Sequence, residues 1–555
     1  MRMPEPGSGP IPAPHDFPVS WSTEEDVQHF WFWDMAHHPQ PVTPLTGSLD
    51  APALSSGFTR AAQALSLPLQ AFKSAILNNY WYMSAVPLGS PQDMAARLMQ
   101  LQGTIMEKSA RALDDWNHLY LPEVHRLNQR LRDYPYAQAD LYQLADLLDE
   151  ARAMRERQFE IHSLVVFPVT LAASIFAQFY EGVIGPPENN EHYQMLGGFP
   201  NKTMEAGQAL YDLAAEAPDQ VAQTVRDLPA AELLSELDKS ALGREFRTRL
   251  DAYLDEFGWR SDAFEFMDPS WREEPTPVLY NLKSYLRQGA TDPRQEQAKA
   301  ANARESLVAE TMDRLAGSEA QLDTFRNLLQ SAQTYLPIQE NHNFYIDQMN
   351  TVLMRLPLLE LGRRLQALGA LEDVDDAFFL TDSELRDAAV SPDRRRLAPL
   401  VSQRRQERQR WSRVVPPMFV GTAMPADLPA ADVMLRFFGG GLPESSRDPK
   451  VLMGTGASKG VATGTAKVVH QLSESDKLEP GDILVCQMTM PAWTPLFSTV
   501  RAVVADSGGV LSHCAIVARE YGIPCVVGTI VGTQRIRDGQ RLTVDGAKGI
   551  VRTEG

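Results

Sequence analysis

The chain has little cysteine: Cys486, Cys514 and Cys525 are the only three among 555 residues. Their spacing suggests no disulfide framework, which excludes the small stapled secreted folds and points to a reducing compartment, with the cytoplasm as the expected location. Also missing is any unbroken apolar run of 18 residues or more, so no membrane-crossing helix is expected. The opening MRMPEPGSGPIPAPHDFP has no apolar core and reads as a flexible lead-in over 1–19 rather than a secretory signal. Excess positive charge is absent too. Against 52 Lys+Arg stand 71 Asp+Glu, a net −19 that argues against nucleic acid or an anionic membrane as partner. No fixed-period repeat is visible.

What is present divides the chain. Its length exceeds one compact core, so two to four domains are expected. Residues 20–421 read as a mainly α-helical domain, with apolar residues at three- and four-residue spacing in SLPLQAFKSAILNNYWYM, DLYQLADLLDEARAMRERQFEIHSLV and YIDQMNTVLMRLPLLELGRRLQALG. A sub-boundary is expected near 290–305. Residues 422–447 are rich in Gly, Pro and short polar residues and read as a hinge linker. Beyond them, 448–555 shows short β-type runs (GVATGTAKVVH, GDILVCQ, RAVVAD, PCVVGT, RLTVDG, GIVRT) broken by two helical stretches, a β/β/α pattern. This segment holds 11 basic against 10 acidic residues, leaving 41 against 61 for the rest. The fold class expected is therefore multidomain α plus α/β.

The most informative stretch is DSGGVLSHCAIVAREYGIPCVVGT, Asp506 to Thr529. A strand ends at Asp506, Gly508 and Gly509 allow a tight turn, and Ser512 is a favoured N-cap. Cys514 to Tyr521 has helical composition and Gly522 is a natural helix stop. His513 thus falls in the first helical turn, where free N–H groups and the helix dipole collect anions. An imidazole held there is suited to bearing a phosphoryl group. The alternatives are a packed or capping histidine, a metal ligand without a second ligand at suitable spacing, and a Ser–His pair without the G-x-S-x-G elbow. No metal site is expected.

The same residues resemble the mobile phosphohistidine, or swivelling, domain of the phosphoenolpyruvate-utilising enzymes. Supporting segments are GTGASKGVATGTAKVV (454–469), DILVCQMTMPAWTPLF (482–497) and DGQRLTVDGAKGIV (538–551). Synthase and dikinase members usually carry Cys before the histidine. Here Ser512 precedes and Cys514 follows, a spelling nearer rifampin phosphotransferase. The helical domain resembles the substrate domain of that enzyme more weakly, through EFGWRSDAFEFMDPSWREEP (256–275), LGRRLQALGALEDVDDAFFLTDSEL (361–385) and PPMFVG (416–421). A helical segment with a phosphohistidine domain also resembles the His-bearing subunit of phenylphosphate synthase and cresol-phosphorylating enzymes of aromatic compound catabolism.

The resemblance implies an ATP-dependent phosphotransferase subunit. A separate ATP-grasp subunit would bind Mg²⁺ and ATP, charge His513, and leave AMP and phosphate. The carrier would then swing on the linker and deliver the group to a phenolic hydroxyl; ten extended residues span roughly 35 Å. No strand–glycine–helix nucleotide loop is legible in the first 440 residues, since GSGP and the glycines at 439–441 read as turns. Rivals are a rifamycin-type antibiotic phosphotransferase and a non-catalytic phosphocarrier or regulatory subunit. Gly508, Gly509 and Ser512 are the expected anion cradle, and Arg519 matches the family's arginine on this helix. Thr489 and Trp493 lie in the matching T-x-P-x-W loop and are expected to face the histidine.

The family's Arg-Glu-x-x-Lys stretch corresponds to Gln339-Glu340-Asn341-His342-Asn343. Only Glu340 matches, which puts a conventional phosphate clamp in doubt. Glu340 or His342 is expected to meet the acceptor and take its proton. Trp31, Trp33, Tyr80, Trp81 and His162 are candidates for lining an aromatic acceptor pocket, with core packing as the alternative.

Overall fold

A computed structural model describes all residues except 1–9, 12–13, 186, 188–189, 287–291, 423–445, 447 and 555. Most of the expected hinge therefore lies outside the described residues, as does part of the lead-in. What is described of that lead-in is ordered by burial: Phe17 packs against Tyr80, Tyr82 and Trp411. The expectation of a floppy segment to residue 19 is corrected at this point.

The first 421 residues are not only helical. Five strands form an antiparallel sheet in the order Pro10–Ile11, Phe419–Thr422, Phe30–Trp33, Tyr80–Pro87, Leu69–Leu77. The stretch 66–83, whose apolar spacing predicts a helix, is the hairpin of this sheet. Its two-residue turn is Asn78-Asn79, with φ of +52° and +67° and Leu77 paired to Tyr80. Two left-handed central residues give the turn twist that hairpins favour, and asparagine tolerates that conformation.

One face of the sheet is covered by two helices, Pro44–Ala64 and Leu141–Val183. They approach closely at Gly57, where a Cβ would lie 2.5 Å from the Glu156 carbonyl oxygen. The second helix runs 43 residues from a capping box at Asp140 and Gln143. Among the described helices it alone is long and apolar enough to cross a membrane, but 67% of its most apolar window is buried against the rest of the chain. Its hydropathy is that of a core helix.

A second long helical run, Tyr335–His342 and Met349–Ala367, is continuous through a π-helical turn at Asn343–Gln348. Shorter helices between Lys202 and Leu286 pack into one apolar cluster that also takes in side chains of the C-terminal domain. That domain is an eight-stranded mixed sheet. Four parallel strands form its middle, Val461–Val469, Ile483–Cys486, Ala502–Ala505 and Cys525–Val527, flanked by antiparallel ones. The helix His513–Glu520 is the crossover between the last two parallel strands. Its N-terminus thus opens at the carboxyl end of a parallel strand, where open α/β sheets place their ligands.

Candidate active site

His513 is positioned by backbone. Gly508 has φ +97°, and a Cβ there would meet Ser512 Oγ at 2.7 Å. The Ser512 hydroxyl then accepts the Ala515 N–H as N-cap. Arg519 is half-buried and its Nη1 donates to the carbonyls of Val510 (2.7 Å) and Ala457 (3.1 Å). These bonds tie Arg519 across the glycine turn, six residues along the helix from His513. Cys514 points into the domain, its thiol 3.8 Å from that of Cys525.

The imidazole meets the helical region. Its Nδ1 lies 3.3 Å from Glu340 Oε1, and Thr494 Oγ1 lies 3.5 Å from its Nε2. An ionised carboxylate only accepts, so the proton belongs on Nδ1 and the Nε2 lone pair is left available. Glu340 is itself buried, and its other oxygen accepts the Thr203 hydroxyl at 2.6 Å. Burial alone would raise this carboxyl. The electrostatic pull and hydrogen bond of the His513 Nδ1–H, the Thr203 hydroxyl and the nearby His342 outweigh burial and hold it below the usual carboxylate value.

Beside this contact lies a cavity of ≈ 190 Å³, walled largely by Phe58, Phe72, Phe159, Phe167 and Met83. Gln339, His342, Asn343 and Asp347 close one end, with His162 and His37. His162 Nδ1 is 2.9 Å from Asp347 Oδ1, and His342 Nε2 is 3.1 Å from Asp347 Oδ2. The two rings meet edge to face at 4.5 Å. Five residues separate His342 from Asp347, which a regular α-helix would set on different faces; the π-turn brings them together. Burial would raise the Asp347 carboxyl, but the two histidines hold it far below its ordinary range. Burial pushes His162 down, with His342 and His37 adding to the effect against Asp347. Their donor atoms lie within 4.8 Å of one another, and hydrogen bonds account for the cluster without a cation.

The aromatic candidates separate by sheet face, because side chains alternate along a strand. Trp31, Trp33 and Tyr80 lie with Tyr82 and Phe17 on the face away from the cavity, in a packed core. Trp81 shares the cavity side with Phe32 and Met83, but it is fully buried beneath the wall, stacked on His38 at 4.3 Å. Of the five residues put forward for the pocket, His162 alone lines the cavity. Trp493 is core of the C-terminal domain, and Thr489 is buried with its hydroxyl unpartnered; Thr494 is the threonine that reaches His513.

Sequence reasoning missed Asp347, Thr494, the cavity phenylalanines and Arg260. The last is 2% exposed, and its Nε and Nη2 have no partner among the described residues. Its guanidinium packs over Phe344 at 4.7 Å. Burial pulls its pKa down, while Tyr253, Glu340 and Tyr345 act in the other direction. Its only signal in the sequence was the W-R-S triplet within 256–275.

Residues 478–549 match the mobile domain of the phosphoenolpyruvate-utilising enzymes, and 162–340 match the fourth domain of rifampicin phosphotransferase. An uncharacterised phosphotransferase of Bacillus subtilis is 31% identical over 95% of the chain and 62% of its own length. Chondramide synthase of Chondromyces crocatus is 36% identical over 98% of the chain and 14% of its own. Rifampicin phosphotransferase of Streptomyces sviceus is 32% identical over 63% of the chain and 40% of its own. The chain therefore spans between about one seventh and three fifths of the relatives it matches. His513 falls within the matched mobile domain, and Glu340 is the last residue of the other match.

Proposed function

We propose that this chain, a phosphoenolpyruvate-utilising-type protein related to the rifampicin phosphotransferases, passes a phosphoryl group from His513 Nε2 to the hydroxyl of a small phenolic acceptor, giving an aryl phosphate. One observation carries the reading. The imidazole at the mouth of a mobile domain rests on Glu340, and the residues on either side of that turn of helix, Gln339 and His342, line an aromatic cavity. The charging step is assigned to a separate ATP-grasp subunit using Mg-ATP, with the cytoplasm as the setting.

Phosphoryl transfer runs through a loose transition state, so alignment and charge stabilisation supply most of the catalysis. Glu340 accepts the Nδ1 proton of His513, which fixes the ring and leaves Nε2 as the phosphoryl-bearing atom. When the P–N bond breaks, its electron pair returns to Nε2. Arg260, buried near the same carboxylate with Nε and Nη2 unpartnered among the described residues, is the cation assigned to the equatorial phosphoryl oxygens. It takes the part that Gln339 and Asn343 are unable to play as neutral amides.

The match of 162–340 to rifampicin phosphotransferase supports a second reading, a bulky antibiotic hydroxyl as acceptor. The cavity weighs against it: ≈ 190 Å³ lies below the roughly 300–1,000 Å³ of sites for drug-sized ligands. To test the reading, the full chain is charged chemically with phosphoramidate and offered phenol, 4-cresol and rifampicin. Acid-labile phosphate that requires His513 and leaves as an aryl phosphate is the expected result. Transfer to rifampicin in place of the phenols would overturn the acceptor class, and a charged chain that serves none of them would leave only a carrier.

A further inference from the structure

We infer that His162, oriented by Asp347, is the base that takes the proton from the acceptor hydroxyl. The inference rests on the phosphoryl-transfer reading above and names the residue that reading leaves open. The two groups expected from sequence for this work are both committed. Glu340 spends one oxygen on His513 and the other on Thr203. His342 faces acceptors with both nitrogens: the Ile338 carbonyl is 2.8 Å from Nδ1 and Asp347 Oδ2 is 3.1 Å from Nε2. Both ring nitrogens are occupied, so His342 has no free lone pair to offer an acceptor hydroxyl.

His162 is different. Its Nδ1 donates to Asp347 Oδ1 at 2.9 Å, which leaves a lone pair on Nε2, and no partner for Nε2 exists among the described residues. The ring stacks on Phe58 at 5.2 Å in the cavity wall, so a flat acceptor lying along Phe58 would meet that nitrogen at its edge. Every charged group around it has a partner. Asp347 and His342 face it from the π-turn and the helix before it. His37, bound to Asp34, faces it from the loop after the strand Phe30–Trp33. Asp50 on the helix Pro44–Ala64 is held by Arg155, on His162's own helix, through bonds of 2.7 and 3.0 Å. A proton on His162 adds positive charge beside the cavity just as negative charge moves to the acceptor oxygen.

The step balances without a co-reactant. The acceptor O–H bond breaks, its proton goes to His162 Nε2, and the oxygen forms the new bond to phosphorus. The P–Nε2 bond of His513 breaks with its electron pair returning to that ring. Glu340, which holds the donor imidazole, and His342, which shares Asp347 with the base, belong to one helix two residues apart, about 3 Å along its axis.

Two measurements test this. In ¹⁵N-histidine NMR of the full chain, with assignments from His162→Gln and His342→Gln, His162 should show protonated Nδ1 and lone-pair Nε2 near pH 8. The Nε2–H tautomer at His162, an imidazolium there from pH 6 to 9, or a stoichiometric metal ion in elemental analysis would overturn the assignment. In transfer from phosphoramidate-charged chain to phenol, His162→Gln should be about 10²–10⁴-fold slower. It should also lose the acid limb of the wild-type pH profile, with charging of His513 unchanged. Asp347→Asn should weaken transfer and shift that limb if His162→Gln fails to fold. A variant that transfers at the wild-type rate overturns the inference. If charged wild type serves no phenol, the acceptor reading fails and the tautomer result alone decides this one.

Discussion

The domain that carries His513 and the region that receives it hold their histidines by different means. The carrier uses backbone: a left-handed glycine, a capping serine, and an arginine tied to two carbonyls. The receiving side uses buried charges drawn from distant segments, with Asp347 between two imidazoles and Arg155 locked to Asp50, Asn350 and Thr351. The junction between them is made otherwise again. Tyr335 donates to the Leu511 carbonyl (2.7 Å), Asn190 to that of Gly456 (2.6 Å), and the Gly198 N–H to Glu520 (2.7 Å). Each such bond contributes only about 0.5–1.5 kcal/mol. On the proposed reading the carrier leaves this seam, which adds a shared apolar cluster to those bonds, with its histidine motif complete in itself. A pocket that stays in place can afford preorganised charge.

The largest expected effect falls on the carrier. His513→Ala should remove acid-labile phosphate from the charged chain and reduce transfer to background, while the fold, whose imidazole contacts are one long bond on each side, stays intact by circular dichroism. Retained labelling and transfer in that variant would place the phosphoryl-bearing group elsewhere and dissolve the contrast between the two sides.

Within the receiving region, the two faces of the five-stranded sheet sharpen the comparison. Trp31→Ala empties a fully buried site on the packed face and should cost about 3–5 kcal/mol of stability. Phe58→Ala enlarges an existing cavity and should act mainly on the acceptor, raising KM with a smaller stability loss. Denaturant melts of both variants decide it: equal destabilisation, or an acceptor effect from Trp31, would mean the faces have been assigned the wrong way round.

These differences also govern what could be read from the chain alone. The glycine turn, cap and helix around His513 lie in one short stretch and announce themselves through residue types with special backbone roles. The hairpin at 66–83 did not, because Leu69, Phe72, Ala75 and Ile76 mimic helical spacing and the deciding signal was the Asn-Asn pair between them. Asp347 was invisible beside His342 because the α-helical period separates them and nothing in the sequence marks the π-turn. Arg260 and Phe58 reach the site from segments 80 and 282 residues away from Glu340. Trp31 and Phe32, adjacent and both aromatic, went to opposite faces because strand register assigns sides by parity.

Arg260 gives the next effect in size. As a buried cation with two unpartnered donors it costs the fold stability, and a methionine of similar length removes that cost. Arg260→Met should therefore melt at the same temperature as wild type or higher. Transfer should fall by about 10²–10³-fold, the loss typical of one donor at a developing charge. The pairing of outcomes matters. A variant that loses stability and activity together would make Arg260 a structural residue of the Phe344 cluster, and the transferred phosphoryl would need another cation.

The smallest effect concerns the seam. Glu520 sits on the carrier's helix, accepts the Gly198 N–H, and has its second oxygen unpartnered. Burial pushes its pKa up to about 7, beyond what the Gly198 bond and the nearby Arg519 and Arg304 can offset, and Glu340 adds to the rise. Undocked and in water, the carboxyl returns towards its ordinary value of 4.5. The docked state thus binds the proton more tightly. Docking is strongest below that ordinary value, weakens as pH rises towards about 7, and is flat beyond, by at most about tenfold in equilibrium per pH unit. A fluorescence-transfer pair, one dye on each side of the seam, should report separation increasing over that window. Glu520→Gln should stay docked with the slope removed. An unchanged slope in that variant would assign the pH response to another group, leaving the seam to its neutral hydrogen bonds and shared apolar cluster.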